Sequence, residues 1–151
     1  MRKADREITS RAEIEGIIRR SLVCRLALAD ENRPYIVPLC FGYKDNSLYF
    51  HSAVQGKKID IIKKNNRVCF EFDIDSEVIK ADKACEWGMQ YKSVVGFGQA
   101  SFLEDSESKR RALDIIMKQY SGESSAYPET KLKHTVIIKV EIEHMTGKQA
   151  Q

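Results

Sequence analysis

SLYFHSAVQGKKIDIIKKNNRVCFEF, residues Ser47 to Phe72, changes its hydrophobic period twice. Leu48 to His51 reads as a strand, Ala53 to Lys64 as a helix, and Arg67 to Ile74 as a second strand. Ser52-x-x-Gln55 has capping-box spacing, so Ser52 is expected to open the helix. Gly56, Lys57 and Lys58 then fall in its first turns. A helix start offers unpaired N–H groups and the positive end of the dipole, which favour a phosphate and disfavour lysine. Two lysines there are a local conflict that a bound anion would resolve. The plainer reading is solvated surface. His51 closes the strand just before. An imidazole there suits ligand contact or proton transfer near neutral pH, or ordinary packing at a sheet rim.

Working toward the N-terminus, Lys44 to Ser47 is turn chemistry closing a hairpin. Pro34 to Tyr43 is a strand interrupted by Pro38, which cannot donate to a ladder and so implies a bulge or an edge. Asp30-Glu31-Asn32 is another turn, preceded by the strand Leu22 to Ala29. These first three strands read as an antiparallel meander. Ser10-x-x-Glu13 caps a helix from about Arg11 to Arg20, with Ile14, Ile17 and Ile18 on one face.

Toward the C-terminus the pattern weakens between Asp75 and Gly88. Tyr91 to Leu103 is a long strand whose two glycines admit a bend or a close neighbour. A helix follows Glu104-Asp105-Ser106, with Leu113, Ile116, Met117 and Tyr120 as its apolar stripe and Gly122 as its stop. Ser124 to Lys131 is loop, and His134 to Met145 is the closing strand. Six or so strands, mostly hairpin-connected, with three short helices predict a mainly β protein, a barrel or strongly curved antiparallel sheet with helices outside. A doubly wound parallel sheet would need a helix after nearly every strand.

The 151 residues read as a single domain, 1–151, without a repeat or linker. An apolar fraction of 42% and a charged fraction of 31% are those of a globular chain. The net charge of +3 is dispersed, which speaks against nucleic acid and anionic membrane as partners. The first residues carry no apolar signal segment and no run is long enough to span a bilayer, so the cytoplasm is expected. Cys24, Cys40, Cys69 and Cys85 have apolar neighbours and no C-x-x-C spacing; three of them lie in strand-like runs, where a thiol behaves as a small hydrophobe, and neither structural zinc nor a disulfide framework is expected. Gly96-x-Gly98-x-x-Ser101 lies within a β-pattern and lacks a third glycine, so it is no dinucleotide fingerprint. His134 and His144 read as structural and no metal site is expected. Trp87 and Tyr91 read as packing aromatics or, less directly, as stacking surfaces.

Four segments together, RPYIVPLCFGY, SLYFHSAVQGKKIDIIKKNNRVCFEFD, CEWGMQYKSVVGFGQASFLED and IEHMTGK, make the chain resemble the FMN-binding split β-barrel family related to pyridoxamine 5'-phosphate oxidase, and within it the nitroimidazole-resistance branch. The resemblance implies a six-stranded antiparallel split β-barrel of Greek-key order with short flanking helices. It also implies a homodimer with FMN in the cleft between subunits. By position, Pro38, Leu39 and Cys40 would run beside the isoalloxazine, and Phe50 and His51 would contact the flavin. Ser52, Lys57 and Lys58 would hold the phosphate, with Ser93 reaching in from the second subunit. His51 would be the candidate catalytic residue, acting on a small-molecule substrate. The chain departs from the oxidase in ending at GKQAQ without an arginine-rich C-terminal segment, which speaks against vitamin B6 oxidation. Arg33 is not assigned the oxidase's phosphate-binding role. Besides an FMN-dependent oxidoreductase, three readings stay open: a flavin-binding sensor or carrier without turnover, a haem-binding module using His51 or a C-terminal histidine, and a structural dimer with an empty cleft.

Overall fold

A computed structural model describes residues 2–120 and 122–151. After a 3-10 turn at Ala4–Arg6, the elements run β1 (Glu7–Ile8), α1 (Arg11–Arg20), β2 (Cys24–Asp30), β3 (Arg33–Leu39), β4 (Gly42–Lys44) and β5 (Ser47–Ala53). They continue with α2 (Lys57–Lys64), β6 (Arg67–Ile79), a 3-10 turn at Ala84–Glu86, β7 (Gly88–Leu103), α3 (Ser106–Gln119), α4 (Glu129–Leu132) and β8 (Thr135–Ala150). Six strands have seven residues or more, as expected from the sequence; β1 and β4 are short additions. All pairings are antiparallel, in the order β3-β2-β6-β7-β8-β5-β4, with β1 on β8.

The expected meander is corrected here. The stretch Pro34 to Tyr43 breaks at Cys40-Phe41, and its two halves, β3 and β4, occupy opposite ends of the ladder. Phe41 causes the break. Its ring is fully buried against Phe72, with centroids 4.8 Å apart, and its N–H donates to the Tyr120 hydroxyl at 3.0 Å instead of to a strand. Only two residues separate β3 from β4, so Leu39 and Gly42 lie within about 11 Å. The two free edges must therefore meet, and the sheet curls into a barrel left split between β3 and β4. Pro38 stands on the β3 edge opposite Arg25, with no register shift, so its missing N–H costs no ladder bond.

Ser10 caps α1 as its spacing predicts, accepting from the Glu13 N–H at 3.3 Å. Asp45 and Asn46 both have positive φ, the conformation of a two-residue turn that matches strand twist, and they join β4 to β5. The interior is lined by Leu26, Phe50, Phe70, Phe72, Val94, Ile138 and Val140, all essentially inaccessible. Gly96 leaves room on β7 for the Phe70 ring, the close neighbour its lack of Cβ allows. The weak region resolves into a long β6–β7 arm that continues past a register shift between Ile74 and Glu77. Arg20 at the end of α1 makes paired bonds of 2.7 and 3.0 Å to Asp75 at that shift. No helix among the described residues is long and apolar enough to cross a membrane.

Candidate functional site

The helix start is where the structure differs most usefully from the sequence reading. β5 runs on to Ala53, which pairs with Thr135 of β8, so Ser52 is held in a ladder and cannot cap the helix. α2 begins instead at Lys57, with Gly56 as N-cap and no side chain accepting from its first N–H groups. Gly56 has φ +148° and ψ +165°, a region essentially closed to residues with a Cβ. Lys57 and Lys58 are thus the first two residues of an uncapped helix. Neither has a carboxylate within ion-pair distance among the described residues. The Lys57 ammonium lies 4.6 Å from the centre of the Tyr35 ring, which ties the start of α2 to β3. Lys58 is half-buried. Ile59, Ile61 and Ile62 anchor the helix to the core beneath.

Pro38, Leu39 and Cys40 follow Tyr35 along the β3 edge and into the split. Pro38 and Cys40 are exposed and Leu39 packs inward. Gly42 pairs with Tyr49, so the same register, if it ran on across the split, would set Cys40 opposite His51. The two segments named from sequence therefore flank the opening. Tyr120 fastens this corner, donating its hydroxyl to the Leu22 carbonyl at 2.8 Å and accepting from Phe41. Burial pushes its phenol up to about 12, with Cys40 adding to the rise. Phe50 and His51 point to opposite sides of β5. Phe50 is fully buried in the core, so its ring offers no surface to a ligand outside the barrel. His51 is exposed beside a small cavity of about 230 Å³, whose walls include Leu113, Ile116 and Met117 of α3.

Ser93 is not part of this group within one chain. It pairs with Asp73 and Lys148 on β7, three strands from β3, or about 14 Å across the sheet. It shares an outward face with Ile36 and Pro38 of β3, Arg25 and Ala27 of β2, and Cys69, Glu71 and Asp73 of β6. Ile36, Ala27, Cys69 and Phe97 form a cross-strand row there, and Ile36 and Phe97 are 60% and 52% exposed. In the next row Arg25 lies 3.0 Å from Asp73 and 3.6 Å from Glu71. Partial burial, reinforced by Asp73, raises the Glu71 carboxyl to about 7 against the pull of Arg25.

The cysteines divide. Cys24 is buried, and burial pushes its thiol far above the ordinary range, as for a small hydrophobe; Cys40 and Cys85 are exposed, and for Cys40 this departs from the packing role expected of a thiol in a strand. Sequence reasoning missed Gly56, Tyr35 and Tyr120. The order Gly-Lys-Lys was a signal for the first, since glycine is the residue that reaches Gly56's backbone angles. Nothing local announced the other two. A cavity of about 730 Å³ lies elsewhere, between α3 and the outer side of β4 and β5. Chemistry is assigned to the α2 corner because helix N–H groups, lysines and strained backbone coincide there, which volume alone does not supply.

Comparison with known proteins follows the same lines. The family model described as pyridoxamine 5'-phosphate oxidase matches residues 10–149. A candidate 5-nitroimidazole antibiotic resistance protein from Bacteroides thetaiotaomicron is 35% identical, with a TM-score of 0.86, covering 95% of this chain and 86% of that one. An FAD-binding protein from Mesorhizobium loti is 27% identical, with a TM-score of 0.72 and coverage of 97% and 98%. An FAD- and haem-binding protein from Mycobacterium smegmatis, 18% identical over 97% of this chain and 74% of that one with a TM-score of 0.88, shares the fold. An uncharacterised protein of Rhizobium meliloti is 34% identical over 64 residues, 42% of either chain, so the match spans less than half of that relative's length. With the split barrel and nearly the whole sequence matched, this chain belongs to the pyridoxamine 5'-phosphate oxidase family.

Proposed function

We propose that this protein binds FMN and acts as a cytoplasmic, homodimeric, FMN-dependent oxidoreductase of the nitroimidazole-reductase type, with one FMN-binding domain over 1–151. The observation that carries the reading is the start of α2. Uncapped N–H groups, two unpaired lysines and a glycine in a conformation reserved to glycine converge beside the β3 edge. This corner fits a phosphate monoester on an extended ligand. Lys57, Lys58 and the N–H groups of the first turn would hold the phosphate, with Ser52 alongside. Pro38, Leu39 and Cys40 would border the ring system, and Phe50 would support it only from within the core. Bound FMN would supply electron transfer to a small-molecule substrate. His51, exposed at the split, is the candidate proton donor or substrate contact.

The dimer rests on the outward face carrying Ile36, Phe97 and Val95, an apolar surface of the kind that marks interfaces. Pro38 and Ser93 share that face, so a second copy seated on it would bring its own Ser93 toward the first copy's β3 edge. The likeness to the Bacteroides protein supports a nitro-substituted heteroaromatic as substrate class, and the Mesorhizobium protein supports a flavin.

The absorption spectrum of the purified protein tests the cofactor, and chromatography of the released flavin separates FMN from FAD. A protein that is colourless and ignores added FMN, or that shows a Soret band instead, overturns the reading. Lys58→Ala is expected to weaken FMN binding roughly 10- to 150-fold, the loss of a charged hydrogen bond worth about 1.5–3 kcal/mol. Unchanged affinity removes Lys58 from the phosphate site. Turnover is tested by reoxidation of the reduced protein with a nitroimidazole; a rate no faster than that of free reduced FMN leaves a carrier or sensor.

A further inference from the structure

The 730 Å³ groove between α3 and the outer side of β4 and β5 has a chemistry of its own. Gly42 creates it. A Cβ there would stand 2.7 Å from the Ile116 backbone nitrogen, so the middle of α3 rests directly on the strand beside the groove. The groove has a floor made by Tyr49 and its cross-strand partner Lys139. Ile115, half-buried, supplies an apolar surface on the α3 wall.

Around this floor stand five cations, Arg19, Lys44, Arg111, Lys118 and Lys139, against the carboxylates of Asp45 and Asp114. The whole chain has 25 basic and 22 acidic residues, so this ring is locally biased. Asp114 is already engaged, accepting from the hydroxyls of Ser124 at 2.9 Å and Tyr127 at 3.1 Å. Lys44 and Lys118 have no carboxylate within ion-pair distance among the described residues. Arg19, Arg111 and Lys139 touch Glu15, Glu107 and Glu141 at 3.4, 3.7 and 3.6 Å, single loose contacts of the kind that contribute little and leave the head group free to turn. Tyr49 is half-buried and its hydroxyl makes no hydrogen bond among the described residues. The volume is that of a small-molecule site of about 300–1,000 Å³.

We propose that this groove is a second ligand site, taking a phosphorylated aromatic molecule of nucleotide size. Its ring lies over Tyr49 against Ile115, and its phosphates face Arg111, Lys118 and Lys44. The site shares none of the residues assigned to FMN, so it stands or falls independently of the flavin.

Isothermal titration of the full chain with ADP, in saturating FMN, is the test. ADP is expected to bind, with adenosine and inorganic phosphate each at least roughly 10-fold weaker, because each satisfies only half of the groove. The pair Arg111→Ala with Lys118→Ala is expected to weaken ADP by roughly 10-fold or more while FMN absorbance and affinity stay unchanged. Both side chains are exposed, so the fold survives their removal. Tyr49→Leu is expected to weaken ADP and leave inorganic phosphate unaffected. Absence of ADP binding, binding that FMN displaces, binding indifferent to the double variant, or inorganic phosphate equal to ADP would each overturn the proposal.

Discussion

Gly56→Ala isolates backbone conformation from packing. A Cβ at Gly56 meets nothing within 4 Å, and the same holds for a Cβ at Gly16 in α1. The two positions differ in dihedral angles alone. Gly16 is helical, where alanine is favoured by about 0.5–1 kcal/mol. Gly56 at φ +148° and ψ +165° lies where a residue with a Cβ costs about 1–3 kcal/mol. In a domain of this length each kcal/mol moves the melting temperature by about 2–4 °C. Gly56→Ala should therefore lower it by roughly 2–12 °C, and Gly16→Ala should raise it by roughly 1–4 °C. Circular dichroism melts of both variants and the parent, without added flavin, read this directly. Two variants moving the same way, or Gly56→Ala melting no lower than the parent, would refute the strain argument. FMN titration of Gly56→Ala then asks the functional question. The variant can escape strain only by shifting the first turn of α2, where Asp60 N–H donates to the Gly56 carbonyl at 3.1 Å. Lower stability with undiminished FMN affinity would separate that turn from the phosphate.

Tyr120→Phe removes the hydroxyl that joins Phe41 to Leu22, and leaves a part-buried N–H unpaired. A loss of about 1–3 kcal/mol in urea unfolding is expected, and a change near zero would show that the split does not depend on this latch. Glu71 gives a pH signature of definite sign. Its folded carboxyl is raised from its ordinary value of about 4.5 to about 7, so between those pH values the folded chain holds more protons than the unfolded one. Its contribution thus makes stability fall as pH rises from about 4.5 to 7, most steeply near the middle of that window. The groups facing it are Asp73, which strengthens the shift, and Arg25, which opposes it. Glu71→Gln should flatten that slope in unfolding midpoints taken across the window; an unchanged slope would assign it to other groups.

Much of the barrel was legible because its strands alternate cleanly. Val136, Ile138, Val140 and Ile142 predicted β8, although its last residues, Thr146 to Ala150, carry too few apolar side chains to extend the pattern. They are held by pairing to β7 and, at Gly147 and Lys148, to β1. The meander failed because a break in pairing at Cys40-Phe41 is decided by distant residues, Tyr120 and Phe72, that no local window contains. Ser52 failed as a cap for a related reason. Ser-x-x-Gln has the right spacing, but a strand partner in β8 claims the residue first.

The lysines of α2 were noticed in the sequence because they contradict the helix dipole, and the structure adds a second contradiction at the adjacent residue. Either alone has an ordinary explanation: exposed lysines are common, and a tight turn accepts glycine. Their coincidence is harder to attribute to folding. Ile59, Ile61 and Ile62 anchor α2 from below and do not require lysine at its first two positions. A capping side chain at this position would bring a Cβ that these backbone angles exclude, so the turn keeps glycine and leaves its first N–H groups without a side-chain acceptor. What an uncapped, lysine-bearing, glycine-led turn does supply is a set of free donors around a point that no side chain occupies. A phosphate is the group that uses all of them at once, and this is why an anion site is legible from one corner of the chain.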